Sequence, residues 1–303
     1  MRKTISAKIV ADSINEHGCR LTTFTVIFPR FLLAELNTHR MLSRNSASSR
    51  ARPFKVMLKD VMEDPFIPIR WMAEHKGMQG TEYLNEEDSQ NATATWLQAR
   101  DAAVAAAKAL DGKKVTKQIV NRILEPYLWH EVVITATDLE NFFALRYHND
   151  AEIHICELAK VMLDAYNASQ PKFLAAGEWH IPFGDQMDEE KLADVAGNTN
   201  MDDLKREIAC ARCARISYKP FGSEENYDYA ADRRLFATLL TGGHVSPLEH
   251  VARSMTQHEF EGTFHKGYCG NFRGFIQYRK TFANENRKDP RVNNHKREQE
   301  ETK

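Results

Sequence analysis

The chain has 303 residues, of which 42% are hydrophobic and 27% are charged, with 41 Lys and Arg residues against 42 Asp and Glu residues. This length predicts about two domains, and the apolar content excludes a disordered chain. The balanced charge argues against a protein that mainly coats nucleic acid, and no apolar run approaches the roughly 18 residues of a membrane helix. Because the basic N-terminus also lacks the apolar segment of a secretory signal, we expect a cytoplasmic protein with neither a membrane nor a nucleic-acid partner.

Residue patterns predict strands and helices along the first half of the chain. Alternating Thr, Phe and Val residues predict a strand at 20–28, and β-branched residues predict another at 129–137. Asp138 is the expected N-cap of the helix after this second strand, and Asn149 or Asp150 that of the next helix. The remaining predictions, in chain order, are helices at 30–42, 86–110, 115–124, 139–148 and 150–167, with a loop at 43–52.

A linker is predicted between two halves of the chain. Residues 171–200 contain prolines, glycines and an acidic run, which indicates a boundary between a half at 1–170 and a half at 201–286. The charged tail at 287–303 is expected to be mobile. Because strands and helices follow one another without a βαβ rhythm, the predicted fold class is α+β, with mixed helices around an antiparallel sheet. Two further helices are predicted, at 201–218 and 229–241.

Five cysteines are scattered along the chain, and this odd number does not predict a disulfide framework. Cys210 and Cys213 form a single C-x-x-C. Without a second pair or a histidine pair at ligand spacing, the segment is interpreted as the buried stripe of a helix rather than as a zinc site. His244 and His250 likewise lack helical ligand spacing, so no metal site is predicted.

Residues 38–50, T-H-R-M-L-S-R-N-S-A-S-S-R, are rich in hydroxyl, amide and guanidinium groups. Arginine offers bidentate hydrogen bonds to phosphate, and serine hydroxyls with backbone N–H groups can bind the other oxygens. The segment directly follows an apolar helix, which favours an anion site over a solvated linker. Arg122 and Arg146 lie in otherwise apolar helical stretches, where an arginine either meets an anion or extends to the surface. No P-loop, dinucleotide-binding glycine motif or G-x-S-x-G is present.

Four motifs together resemble those of the flavin-dependent thymidylate synthases. H-R-x-x-S-x-N-x-x-S-x-R at 39–50 is similar to that family's signature, and N-R-I-L-E-P at 121–126, L-E-N-F-F-A-L-R at 139–146 and G-H-V-S-P-L-E-H at 243–250 are similar to its other motifs. In the family the S-P-F-E-H element comes first, so the order here suggests a circular permutation. Residues 277–285, Q-Y-R-K-T-F-A-N-E, resemble a degenerate second copy of the signature; the alternative is an amphipathic strand with chance identities.

The resemblance implies roles for individual residues. Arg146 would face the carbonyl edge of a pyrimidine and favour its ionised N3, polarising the ring for attack from C5. Ser48, Ser49 and Arg50 would bind the nucleotide phosphate with help from Arg122. Further substrate contacts are expected from Glu35, Ser46 and Ala47. The expected flavin-binding and mouth-lining residues are Thr38, His39, Arg40, Asn141, His244, Ser246 and Glu249.

The implied reaction transfers a one-carbon unit from methylenetetrahydrofolate to C5 of dUMP and gives dTMP. Reduced FAD would supply the hydride, NADPH would be a further co-substrate, and no enzyme nucleophile would attack the base, in keeping with the lack of a recognisable nucleophile–base pair. The family forms tetramers with active sites shared between subunits, so a homo-oligomer, either tetramer or dimer, is expected.

The chain departs from the family pattern at several positions. Thr38 replaces the first Arg of R-H-R, Ser46 replaces a Glu, and an Asn-x-Arg pair becomes Thr135-x-Thr137. Glu35 replaces a Gln and would suit a ring that presents a donor, such as the cytosine amino group. Two alternatives therefore stay open: methylation or hydroxymethylation of dCMP, and a non-catalytic nucleotide- or nucleic-acid-binding relative that has lost flavin. Retention of three arginines and of the whole S-P-L-E-H element argues against the second alternative.

Overall fold

The computed structural model describes residues 2–76, 80, 82–216, 228–263, 267–283 and 285. The tail predicted to be mobile, 287–303, lies outside these residues. Within the described ranges, no helix combines the length and the apolar character needed to cross a bilayer.

A five-stranded sheet forms the centre of the fold. Its strands, in spatial order, are β3 (Ser43–Ser46), β4 (Trp129–Ala136), β2 (Arg20–Pro29), β1 (Ser6–Asn15) and β5 (Lys172–Leu174). All neighbours pair antiparallel except β1 and β5, which are parallel. The strands predicted at 20–28 and 129–137 are confirmed, as is the α+β class with an antiparallel-dominated sheet.

Five short strands build two smaller sheets. A three-stranded antiparallel sheet has the order β10 (Phe275–Gln277), β7 (Ala252–Ser254) and β6 (Trp179–His180). β8 (Tyr268–Cys269) and β9 (Phe272–Arg273) form a hairpin. The segment 171–200 therefore contributes strands to two sheets, while the proposed division of the chain into halves stays a prediction.

Ten helices are described within these ranges: α1 (Leu33–Leu36), α2 (Phe54–Glu63), α3 (Glu86–Gly112), α4 (Lys117–Val120), α5 (Glu140–Arg146), α6 (Ile153–Ala168), α7 (Glu189–Ala196), α8 (Met201–Arg215), α9 (Tyr229–Gly242) and α10 (Gln257–Gly262). The predictions near 86–110, 150–167, 201–218 and 229–241 are confirmed. Cys210 and Cys213 lie on the fully buried side of α8, so their interpretation as a buried stripe is also confirmed.

The helix predicted at 30–42 is wrong over most of its length. The chain forms a 3₁₀ turn at Arg30–Leu32 and then only α1 before it turns away. The Thr38 hydroxyl donates to the carbonyl oxygen of Glu35 at 2.7 Å, a local bond that competes with continued helix formation. The predicted loop at 43–52 begins instead with β3, because this segment pairs along β4.

Three further boundaries differ from the sequence predictions. The helix predicted at 115–124 is the short α4 followed by a 3₁₀ segment, Asn121–Tyr127, which contains a proline. Asp138 does not cap α5, because its carboxylate accepts hydrogen bonds from the hydroxyls of Thr137 and Tyr268. The N-cap of α6 is Glu152, whose side chain accepts from two backbone N–H groups of the first turn.

The two faces of the five-stranded sheet are covered differently. On one face, Phe24, Phe28, Val132 and Ile134 are fully buried in an apolar core that also includes α5 and α6. The other face is covered by residues from the second half of the chain, which pack against Leu21 and Val133 in two smaller apolar clusters and also form buried hydrogen bonds with polar side chains of the sheet. The candidate site forms where β3 borders this second face.

Candidate active site

β3 determines which side chains reach the site. In its antiparallel ladder with β4, Ser43 lies opposite Thr135 and Asn45 opposite Val133. Because side chains alternate along a strand, Ser43 and Asn45 point to one face of the sheet and Arg44 to the other. The H-R-x-x-S segment therefore presents groups on both faces at the sheet edge.

Arg146, the predicted catalytic residue, contacts the H-R-x-x-S segment. Its Nε donates to His39 Nε2 at 2.8 Å, and its Nη2 lies 3.4 Å from the hydroxyl of Thr38. The His39 ring packs edge-on against Phe142, with the ring centroids 5.0 Å apart. Burial, together with the charges of Arg146 and Arg44, lowers the pKa of His39. Since arginine can only donate, Nε2 is the bare acceptor nitrogen, and His39 is neutral with its proton on Nδ1.

Glu249 links the S-P-L-E-H element to the same segment. It ends a 3₁₀ segment, Ser246–Glu249, and one carboxylate oxygen accepts from the Ser43 hydroxyl at 2.8 Å. The other oxygen pairs with the guanidinium of Arg279, whose Nε lies 3.3 Å from Glu285. Both carboxylate oxygens of Glu249 are therefore engaged. Two motifs that lie about two hundred residues apart in the sequence thus meet at the sheet edge.

Amide side chains surround this contact. Asn271 Nδ2 donates to Ser43 Oγ at 3.0 Å, and Gln277 Nε2 donates to Asn271 Oδ1 at 2.7 Å. Ser246 Oγ lies 3.4 Å from Asn45 Oδ1. Gln277 Nε2 also lies 3.4 Å from Ser43 Oγ, so three polar side chains fix the Ser43 hydroxyl beside a carboxylate that is already paired with a cation.

The serine loop lies at the other end of β3. Asn121 Nδ2 donates to the Ser49 carbonyl at 2.7 Å and holds the loop against the 3₁₀ segment, while Ser48 and Arg50 are exposed. Arg122 is also exposed, with Nη1 3.7 Å from Glu125. Among the described residues, no hydrogen bond or ion pair joins this loop to Arg146. A strand of four residues spans about 10 Å, and β3 lies between the loop and the turn that Arg146 contacts.

The other predicted residues divide between exposed and partly buried positions. Glu35 is partly buried, and burial together with Glu152 raises the pKa of its carboxyl, against the opposing charge of Arg146. Of the two serine-loop residues nearest β3, Ser46 ends the strand and Ala47 is buried, with its carbonyl accepting from Arg30 at 3.3 Å. The exposed residues are Thr38, Arg40, Asn141, His244 and Ser246.

A buried chain of hydroxyls and imidazoles lies directly behind Ser43. Ser13 Oγ bonds His180 Nδ1, His180 Nε2 bonds Thr23 Oγ1, Thr23 bonds Thr135, and Thr135 bonds His250 Nδ1, each at 2.8 Å. Burial lowers the pKa of both His180 and His250 to about 3, so both rings are neutral. Thr135 belongs to β4, and His250 is the last residue of the S-P-L-E-H element. Their hydrogen bond therefore fixes that element against the sheet.

Several residues of the site escaped sequence analysis. Ser43 is the serine of the quoted signature, and Arg279 lies in the quoted 277–285 segment, so both had a sequence signal. Gln277 begins the same segment but was given no role, and Asn271 had no signal, because its role depends on the hairpin of β8 and β9. Arg44 lies in the segment 38–50 predicted to bind an anion, but it was not singled out. It donates to two backbone carbonyls next to Thr38, a contact that residue types alone do not indicate.

Comparison with known proteins agrees with the motifs. A family model described as thymidylate synthase complementing protein matches residues 11–172. This is just over half of the chain, so the chain belongs to that family, and the predicted resemblance is confirmed. As a member it is an enzyme of the methyltransferase class. A search of curated protein sequences finds no match.

Part of the chain is also similar to two solved structures of one methylase. The chain is similar to a UMP/dUMP methylase, PolB from Streptomyces cacaoi, bound with 5-Br UMP, with a TM-score of 0.46 and 19% identity over 55% of this chain and 89% of that chain. It is similar to the same methylase bound with 5-Br dUMP, with a TM-score of 0.46 and 17% identity over 55% of this chain and 90% of that chain.

Proposed function

We propose that the chain catalyses the flavin-dependent transfer of a one-carbon unit from methylenetetrahydrofolate to C5 of dUMP, giving dTMP. The observation that carries this proposal is the contact of Arg146 with His39, which joins the helix motif at 139–146 to the H-R-x-x-S segment. The neighbouring contact between Ser43 and Glu249 adds the S-P-L-E-H element to the same sheet edge. Family membership supports the assignment.

The chain's own residues would bind and polarise the pyrimidine. Arg146 donates to His39 and Thr38 with Nε and Nη2 but has no other partner among the described residues, so its Nη1 can face a carbonyl edge. A fixed guanidinium there stabilises the negative charge of an ionised ring N3 without reorganisation during the reaction. Because His39 is neutral, it accepts a hydrogen bond from Arg146 without bringing a negative charge that would compete with that of the substrate.

The residues around His39 fit a flavin dinucleotide. Arg44 has donors that no described residue accepts, and exposed polar side chains lie in the neighbouring turn and at the S-P-L-E-H element. FAD, when bound, would supply the hydride, and NADPH would serve as its reductant. The residues proposed to hold FAD or line its mouth are Thr38, His39, Arg40, Asn141, His244, Ser246 and Glu249.

The nucleotide phosphate is assigned to the serine loop, with Ser48, Ser49, Arg50 and Arg122 as its contacts. Among the described residues this loop forms no hydrogen bond or ion pair with Arg146, which supports a homo-oligomer whose sites are completed between copies. Glu35, Ser46 and Ala47 complete the proposed substrate contacts.

The order of the motifs supports a circular permutation. The family model ends at residue 172, whereas the S-P-L-E-H element begins at Ser246 and nevertheless contacts the H-R-x-x-S segment. We infer that the second half of the chain carries elements that precede the signature in other members. The contacts of Arg279 with Glu249 support a role for the 277–285 segment in the site; Asn284 lies outside the described residues.

dCMP is the alternative substrate. The carboxyl of Glu35 lies within the electrostatic influence of Arg146, and a carboxylate there would accept from the amino group of cytosine. Methylation or hydroxymethylation of dCMP would then use the same scaffold.

The test is a visible spectrum of the purified protein with added FAD, titrated with dUMP and then with dCMP, followed by mass analysis of the product after addition of methylenetetrahydrofolate and NADPH. A flavin spectrum perturbed by dUMP, with dTMP formed, is expected. Perturbation by dCMP alone would establish the alternative. If the protein binds no flavin, the flavin-dependent assignment fails.

A further inference from the structure

Arg44 is a residue of the candidate site to which no motif gives a role. Its Nη1 donates to the carbonyl oxygens of Leu36, at 3.0 Å, and of His39, at 2.7 Å. These two residues flank the turn that contains Thr38. The guanidinium is therefore fixed beside Thr38, although it comes from a strand six residues further along the chain.

Arg44 also keeps donors for a ligand. A guanidinium carries five N–H groups, and the two on Nη1 face the carbonyls. Among the described residues, none accepts a hydrogen bond from Nε or Nη2 of Arg44. The side chain is partly buried, which weakens its hydration and strengthens its attraction for an anion. A guanidinium held at one nitrogen with free donors at the others is suited to bidentate binding of phosphate.

Several charged side chains lie near the guanidinium of Arg44. Arg146 donates to the ring of His39, whereas Arg44 donates to its backbone carbonyl, so two arginines contact the same residue. Burial lowers the pKa of Arg44 and the charge of Glu249 opposes this effect, but Glu249 is itself paired with Arg279.

We infer that Arg44 binds a phosphate group of a ligand in the candidate site and supplies the positive charge that the family signature has at position 38, where this chain has Thr38. Because the proposed function assigns the phosphate of dUMP to the serine loop, the expected ligand of Arg44 is FAD, and this identity rests on the proposed function. Thr38 is exposed, so an arginine side chain placed there could reach the same space without displacing core residues.

The experiment compares four variants of the full chain with the unchanged protein: R44Q, T38R, the double variant T38R/R44Q, and R234Q. Arg234 is an exposed arginine on α9 that lies 3.9 Å from Asp228, so R234Q makes the same change of charge away from the site. Binding of FAD, dUMP and inorganic pyrophosphate is measured separately by calorimetry, and the melting temperature of each variant is recorded.

For R44Q we expect FAD to bind about tenfold to a hundredfold more weakly, which is the loss of one charged hydrogen-bonding partner, while dUMP binding is retained. A loss for dUMP instead would overturn FAD as the ligand of Arg44 and would also overturn the assignment of the dUMP phosphate to the serine loop. In T38R/R44Q most of the lost affinity should return, and R234Q should bind like the unchanged protein.

Unchanged affinity of R44Q for both nucleotides would overturn the inference, while the proposed function would stand. A loss that the double variant does not recover would also overturn it, because Arg44 would then only hold the turn; a lowered melting temperature of R44Q would accompany that result. If the unchanged protein binds neither nucleotide but binds pyrophosphate through Arg44, the proposed function fails and the inference stands. If it binds none of the three, both fail.

Discussion

The two faces of the five-stranded sheet are built from different interactions. One face buries Phe24, Val26 and Phe28 against helices, with no polar side chain contributed by this part of β2. The other face buries Thr23 and Thr135 of neighbouring strands and joins them to imidazoles from the second half of the chain. Apolar packing is non-directional, whereas hydrogen bonds fix geometry. The second face also has smaller apolar clusters around Leu21 and Val133, but its hydrogen bonds are what set where the S-P-L-E-H element lies.

The largest effect on stability is expected on the apolar face. Phe24→Ala should lower the free energy of unfolding by about 3–5 kcal/mol, because Phe24 is fully buried and its removal leaves a cavity. Urea denaturation of both proteins at pH 7 measures this. A cost below that of the polar-face variants described next would contradict the assignment of stability to the apolar face.

The polar face should make stability depend on pH. His180 and His250 are neutral in the folded chain, with pKa values of about 3, whereas in the unfolded chain each binds a proton below about 6.5. Protonation therefore favours unfolding, and stability should fall as the pH drops below about 6.5 and continue to fall to about 3. At pH 5 the expected loss is about 2 kcal/mol for each ring.

Urea denaturation at pH 7 and pH 5 checks this dependence, with His180→Gln as the variant that removes one titrating group. Its stability should change less between the two pH values than that of the unchanged protein. His130, on the apolar face beside Arg30, also has a pKa lowered to about 3 and contributes in both proteins. Identical pH profiles for the two proteins would contradict the prediction for His180.

A smaller effect is expected from breaking the polar chain at one hydroxyl. Thr23→Val keeps the shape of the side chain but leaves His180 Nε2 and Thr135 without that partner, at a cost of about 1–3 kcal/mol. Thr25→Val is the matched control on the same strand, since its hydroxyl makes only a long contact of 3.5 Å with the Lys8 carbonyl. Equal unfolding free energies for the two variants would show that the polar chain does not stabilise the sheet.

The smallest effect on stability should accompany the largest effect on activity. Arg146→Ala removes a partly buried side chain that bonds only His39 and Thr38 among the described residues, so the free energy of unfolding should change by about 0.5 kcal/mol or less. Formation of dTMP from dUMP should be abolished. If the variant still forms dTMP, Arg146 does not have the proposed role at the pyrimidine edge. Arg234→Ala, which removes an arginine away from the site, serves as the control.

Sequence analysis found those parts of the fold whose signal is local. β2, β4 and α3 have strong residue patterns, and all three were predicted. β3 was missed because its four residues show no alternation of apolar and polar types; its conformation comes from pairing with β4, which lies more than eighty residues away.

The same difference applies to the candidate site. His39, Arg146 and Glu249 were named because they belong to motifs. In the fold, Arg146 contacts His39, and Glu249 contacts Ser43 of the same H-R-x-x-S segment. His180 was missed as a partner of the sheet, since it lies in the segment predicted to be a linker. Long-range hydrogen bonds of this kind have no signature in a single sequence.

The short β3 strand has one more consequence, for insertions and deletions. Ser43 contacts Glu249 on one face, and Arg44 contacts the His39 turn on the other, because consecutive residues of a strand point in opposite directions. A change in the length of the turn at 37–42 that was taken up by sliding β3 one position along β4 would exchange the two side chains and separate both from their partners. An insertion that left the pairing of Ser43 with Thr135 in place would keep both contacts, so the site depends on the register of β3 and not on the length of the turn.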